Sequence, residues 1–179
     1  MKQKSSFFLT ILAVASLSLA ETPPGLMDEE IQKIILGFSQ GKWQRAMVAN
    51  FDAEAGTWAQ QEPGERWWME KISSTAMRSY ADEGDPWEIS LSPSAYVVTV
   101  LDENGAVTGE SIYHITSADV SSAKDWRLTI ENQSSEPQQV IEMAMFGDNY
   151  LFTLWTRDED GNRRDRWIAL SHRLQSEET

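Results

Sequence analysis

The 179-residue chain has no cysteine and only two histidines, and each shortage removes a class of protein. Without thiols there is no disulfide framework, no thiolate metal centre and no lipidated cysteine to anchor an exported chain. His114 and His172 have no histidine partner at metal-ligand spacing, so the chain carries no zinc motif. Basic residues are scarce too: 15 Lys and Arg against 28 Asp and Glu leave a formal charge of −13, which disfavours nucleic acid and anionic membranes as partners. That charge is compatible with a cationic partner, although a well-solvated acidic surface accounts for it more simply. Gly-x-Ser-x-Gly and phosphate-cradling glycine loops are missing as well. These residues lead us to expect no metal, no cofactor and no catalytic set.

Long apolar runs are confined to the first twenty residues. Lys2 and Lys4 precede an apolar stretch from Phe7 to Leu19, and Ser18-Leu19-Ala20 leads to Glu21. This pattern predicts a secretory signal peptide over residues 1–20 with cleavage after Ala20, since the stretch is short for a membrane span and ends in small residues. Export to a bacterial periplasm follows as the expected localisation, and no transmembrane segment is expected in the mature chain. Cleavage would take the charge to about −15 and leave about 159 residues, ample for one domain. We expect a flexible N-terminal segment over 21–26, a single domain over 27–174 and a polar tail over 175–179.

What is present is mostly strand. Met27, Ile31, Ile34, Ile35 and Phe38 fall at helical spacing behind Asp28, Glu29 and Glu30, which predicts a short amphipathic helix over Met27–Gln40 with Gly41 as its stop. Such a helix suits the plugging of one end of a barrel. Residues 42–80 fit helical and strand periods about equally well, and the bulk of Trp58, Trp67, Trp68 and Ile72 favours strands. Glu62-Pro63-Gly64-Glu65 reads as the turn of a hairpin between Thr57–Gln61 and Arg66–Ser73. A breaker at Asp82–Pro86 precedes a short strand, Trp87–Leu91.

From Tyr96 to Arg173 six strand-like runs follow one another with no helix between them. Tyr96–Leu101 and Val107–Ile115 flank Asn104-Gly105, a pair suited to a hairpin. Trp126, Leu128 and Ile130 alternate with Arg127, Thr129 and Glu131, as a half-buried strand does. Val140–Phe146 and Tyr150–Arg157 flank Gly147-Asp148-Asn149, and Arg164–Arg173 closes the series. Ser117–Lys124 and Gln133–Pro137 read as longer polar segments at a barrel mouth. The fold class is therefore mostly β: an antiparallel up-and-down barrel of about 8–10 strands with a short N-terminal helix, closure removing the sheet edges.

Few residues invite a chemical role. Asp158-Glu159-Asp160-Gly161-Asn162 superficially resembles a calcium loop, but an EF-hand beginning at Asp158 would need glycine where Arg163 stands and glutamate where Ala169 stands. A charged hairpin turn is the stronger reading. His172 could act as a general base in a pocket, though an ordinary polar strand position accounts for it. Glu142 is unusual between Ile141 and Met143, yet alternation places it on the solvent side. The eight tryptophans are the stronger signal, since aromatic walls with a few polar groups are the usual composition of ligand cavities in small barrels. Trp126, Leu128, Ile130, Phe152 and Leu154 are the candidate cavity wall, with core filling as the competing role.

The order of helix, Gly41-Lys42-Trp43 and meander resembles the lipocalin-like, or calycin, group. The resemblance implies that Gly41 and Trp43 open the first strand, that Trp43 closes the barrel floor, and that Arg166 or Arg173 packs over its indole by a cation–π contact. Leu174–Thr179 leaves no room for the helix that follows the last lipocalin strand, so the implied relative is a looser bacterial one. The first third, with Ala55-Gly56-Thr57-Trp58 after a second possible helix, is also similar to ketosteroid-isomerase-like α+β cones. The barrel reading implies a non-catalytic binding protein holding a small apolar or amphipathic ligand. The cone implies an isomerase-like pocket around His114, Asp119 or Glu142. A packed barrel would instead suit a module that meets an envelope protein partner.

Overall fold

The structure, a computed structural model, describes residues 27–37 and 41–175, except Ala53, Glu62, Glu83, Asp85, Gln133, Glu136 and the side chain of Asp165. The expected leader, its cleavage site after Ala20, residues 21–26 and all but the first residue of the tail lie outside the described residues.

One helix, α1 (Glu29–Gly37), precedes β1 (Gly41–Asp52), β2 (Thr57–Gln61), β3 (Arg66–Lys71), β4 (Ala76–Ala81), β5 (Trp87–Leu91), β6 (Ala95–Leu101), β7 (Val107–Ser122), β8 (Asp125–Asn132), β9 (Gln139–Phe146), β10 (Asn149–Arg157) and β11 (Arg163–Arg173). Successive strands from β3 to β11 pair in chain order, and β1 pairs antiparallel with both β3 and β11, closing a ten-strand barrel. Alternation explains the walls. Along β8, Trp126, Leu128 and Ile130 point inward at 1%, 1% and 0% exposure while Arg127 faces solvent. The mostly-β barrel with one short helix is thus the fold, and residues 42–80 are strands. The α+β cone is overturned, because α1 is the one helix among the described residues.

Two expectations are corrected. The hairpin between Thr57–Gln61 and Arg66–Ser73 does not form. β1, twelve residues long, is able to template both strands in succession: Gln61 lies opposite Val48 and Arg66 opposite Gln44. β2 and β3 are therefore two halves of one descending strand, broken where the Gly64 and Arg45 amides donate to the Arg45 and Glu65 carbonyls, each at 2.9 Å. Gly64 has φ +126°, a conformation side chains resist, so the glycine serves a break rather than a hairpin. β2 keeps a free edge, and all five of its residues are exposed. The second correction concerns Ser117–Lys124, which is strand as far as Ser122. A register shift between Ile115 and Ser117 turns Ala118 and Val120 toward the core, so the polar composition there belongs to the outer face. α1 is described over Glu29–Gly37 and Gly41 opens β1 at φ +122°; residues 38–40, between the helix and its expected stop, lie outside the described residues.

α1 closes one end of the barrel. Asp28 Oδ1 accepts from the Ile31 amide at 2.8 Å, capping a first turn that carries Glu29 and Glu30 at the favourable end of the dipole. Met27 is tied by its amide to the Pro93 carbonyl at 2.9 Å, in the β5–β6 turn. Buried Met27, Ile35 and Leu36 join the core from this end, each large apolar side chain contributing about 1.5–3 kcal/mol.

Candidate functional site

The barrel interior has two unlike halves. Next to α1 it is solid. Trp43, 0% exposed, stacks on Trp67 with ring centroids 5.4 Å apart and planes within 9°, and Tyr150 contacts Trp43, Trp67 and Trp126 at 6.1, 5.7 and 6.3 Å. Trp67 donates its indole N–H to Ser171 Oγ at 3.1 Å. This cluster makes a floor whose far side, presented by Trp67 and Tyr150, bounds a cavity of about 740 Å³.

That volume lies within the range of small-molecule sites, about 300–1,000 Å³. Its wall is mainly apolar and aromatic, with Trp87, Val98, Met143, Phe152 and Trp167 from five different strands. Val100, on the same wall, is 41% exposed, which marks the end away from α1 as the mouth. The void follows from the strand pairing. β4 and β5 pair only over Ala76–Ser79 and Trp87–Ser90, and β2 pairs with β1 alone, so beyond Trp67 and Ala81 fewer inward side chains converge.

Polar groups on the wall are few. Tyr96, Tyr113 and Tyr150 all line it, and burial pushes each phenol upward in pKa, so they remain neutral donors. Tyr113 donates to Gln139 Oε1 at 3.3 Å. Among the described residues, the charged groups of the wall are Arg45 and Arg166. Arg45 lies over the Trp167 ring, 5.4 Å from its centroid, and is ion-paired with Glu65. Arg166 reaches the cavity through a register shift between Leu154 and Trp155, which lets both Arg166 and Trp167 face inward, and its Nε donates to Thr156 Oγ1 at 3.3 Å.

The five candidate wall residues divide. Ile130, Phe152 and Leu154 line the cavity, whereas Trp126 and Leu128, each 1% exposed, belong to the solid half. Of the residues tied to barrel closure, Gly41 and Trp43 open β1, and Arg173 lies over the Trp43 ring at 4.9 Å, directly opposite it across the β1–β11 seam. Arg166 takes no part in that contact. Trp67, Trp87, Tyr96, Tyr113 and Trp167 are wall residues that sequence reasoning missed.

The residues considered for catalysis do not converge. His114, Asp119 and His172 are exposed on outer faces, with His172 bonded to the Asn149 side chain. Glu142 faces outward and pairs with Arg163 at 3.1 Å. Asp158 is occupied by its own turn: Oδ1 accepts from the Asp160 and Asn162 amides at 3.1 and 2.8 Å, and Oδ2 pairs with Arg164 at 2.9 Å.

No family model and no curated protein matches the sequence. The crystal structure of Rv2717c from M. tuberculosis is similar in fold, with a TM-score of 0.50 over 78% of this chain and 95% of that one at 13% identity. At that identity the likeness extends to the barrel alone.

Proposed function

We propose that this chain is an exported, non-catalytic binding protein of lipocalin-like character that carries a small apolar or amphipathic molecule in its barrel. The observation that carries the reading is the cavity of about 740 Å³ behind an aromatic floor. Burial of an apolar ligand there is driven by removal of its surface from water, and the rigid wall is ready before the ligand arrives. The outward placement of His114, Asp119 and Glu142 counts against an isomerase-like pocket. The void itself counts against a packed barrel that serves only to meet an envelope partner.

Trp67, Trp87 and Trp167 on the wall supply the test. Titration with a panel of lipids and environment-sensitive dyes is expected to shift tryptophan emission and saturate at one site; emission that stays unchanged across the panel would overturn the proposal. Export is tested separately by the N-terminus of the protein recovered from a periplasmic extract, expected at Glu21. Recovery of the uncleaved chain from the cytoplasm would overturn that part.

A further inference from the structure

The cavity is neutral or positive at every described position in a chain that is strongly negative. Acids outnumber bases 28 to 15, yet neither an aspartate nor a glutamate lines the cavity among the described residues. Elsewhere arginines of this barrel take acidic partners: Arg66 with Asp82 and Arg157 with Glu131, both at 3.0 Å, and Arg164 with Asp158 at 2.9 Å. Arg45, on the cavity wall, is likewise neutralised by Glu65. Arg166, on the same wall, has no such partner. Among the described residues its guanidinium makes one hydrogen bond, from Nε to the neutral Thr156 hydroxyl, and no ion pair, which leaves the Nη donors for something else.

A half-buried guanidinium beside apolar wall is costly unless its charge and donors are met. Water could satisfy it; an oxyanion would satisfy it better, because a planar fork of N–H donors matches a carboxylate bidentately and such charge-assisted bonds are roughly twice as strong as neutral ones. The position fits a headgroup. Arg166 sits in the mouth half of β11, while Ser171, at the floor, lies five residues further along the strand, about 17 Å at about 3.4 Å per residue before strand tilt is allowed for. Between them the wall is mainly apolar and aromatic, with the neutral phenols of Tyr96 and Tyr150 toward the floor, while the Tyr113 phenol turns to Gln139, the register partner of Thr156 at the mouth. One uncompensated positive charge calls for one negative charge, which selects a monocarboxylate over a phosphate dianion.

We infer that the ligand is an amphipathic monocarboxylate, bound with its carboxylate on Arg166 at the mouth and its apolar tail directed toward the Trp67–Tyr150 floor. The inference rests on the binding reading above, since it assigns a headgroup to that cavity.

The test compares three probes with the same ten-carbon tail: decanoate, decanol and decyltrimethylammonium. Each is titrated calorimetrically into the full mature chain and into Arg166→Met and Arg166→Lys. Wild type is expected to bind decanoate about tenfold or more tighter than either other probe. Arg166→Met should erase that preference, so that decanoate and decanol bind it with similar affinity, and Arg166→Lys, which keeps the charge but loses the fork, should fall between. Because Arg166 makes a single hydrogen bond to Thr156, both variants are expected to fold, and Arg166→Lys covers the case in which the methionine variant does not. Equal binding of the three probes to wild type would overturn the headgroup assignment and leave the cavity reading standing. So would a decanoate preference that survives in Arg166→Met. Binding of none of them, with dyes also silent, would overturn both.

Discussion

Arg45 and Glu65 form an ion pair at the break between β2 and β3, so one of the two arginines on the cavity wall arrives already neutralised. The break itself makes the pair possible, since the Arg45 amide donates to the Glu65 carbonyl and holds the two residues side by side. Glu65→Gln keeps the size and the backbone contact but releases the guanidinium toward the cavity. Decanoate affinity is expected to rise about two- to fivefold, a partly exposed pair being worth less than about 1 kcal/mol. Titration calorimetry on wild type and Glu65→Gln checks it, and an unchanged affinity would mean that Arg45 cannot reach the ligand.

The seam makes a stability prediction. Trp43 and Arg173 are register partners of β1 and β11, and the guanidinium lies 4.9 Å above an indole that is 0% exposed. Arg173→Met preserves much of the stem packing and removes the cation–π contact, at an expected cost of about 1–2 kcal/mol. Trp43→Ala should cost about 3–5 kcal/mol, because it empties the centre of the stack with Trp67 and Tyr150. Urea unfolding should show a lower midpoint with the same slope for Arg173→Met.

The two halves of the interior should respond oppositely to added volume. Ala81 lines the cavity, and Leu128 is buried at 1% in the solid half. Ala81→Phe has space to enter, so stability should change by less than about 1 kcal/mol while dye binding weakens at least tenfold. Leu128→Phe should cost about 1–3 kcal/mol through overpacking and leave dye binding nearly intact. Thermal unfolding and dye titration on the same preparations separate the two cases.

Acid should weaken the fold through its turns. Asp158 is held below the ordinary carboxylate range first by the Asn162 amide and then by Arg164, Asp148 by Lys124, and Asp82 by Arg66. Each is depressed in the folded chain, so its contribution is fully present above the unfolded value of about 3.9 and is lost as pH falls through the lower folded values. Asp158→Asn can still accept the amides of its turn but cannot pair with Arg164 as an ion. Its melting temperature should fall below wild type at pH about 6, with the gap closing below pH about 3. A gap that is constant across this range would remove the ionic origin.

How much of this was legible depended on whether neighbours in sequence or partners across the barrel decided the matter. Asn104-Gly105 and Gly147-Asp148 marked hairpins because a turn is local chemistry, and Gly105 and Gly147 do hold φ of +81° and +68°. Pro63-Gly64 carries the same signature but breaks a strand, and only the length of β1, which accommodates β2 and β3 in turn, decides between the two outcomes. Alternation correctly turned Trp126, Leu128 and Ile130 inward. It could not assign depth, which depends on register around the whole barrel, so Trp126 and Leu128 went to the solid half and Ile130 to the cavity wall. Ser117–Ser122 misled because a register shift between Ile115 and Ser117 reverses which residues face in, and polarity then reads as loop. Tyr96, Tyr113 and Tyr150 were the missed signal, one phenol on the inner face of each of three strands. Arg166 escaped notice as a cavity group because a register shift brings it in beside Trp167.

The seam also governs when this protein acquires its shape. Trp43 and Arg173 stand about 130 residues apart in the chain, and no contact of β1 with β11 can form until β11 itself has been made. The loop to be closed is nearly the whole domain, so closure is late and slow relative to the local hairpins. A chain that has not yet paired β1 with β11 would hold an unjoined sheet with Trp43 exposed, and the floor, the cavity and its arginine would come into being together in the final step of folding.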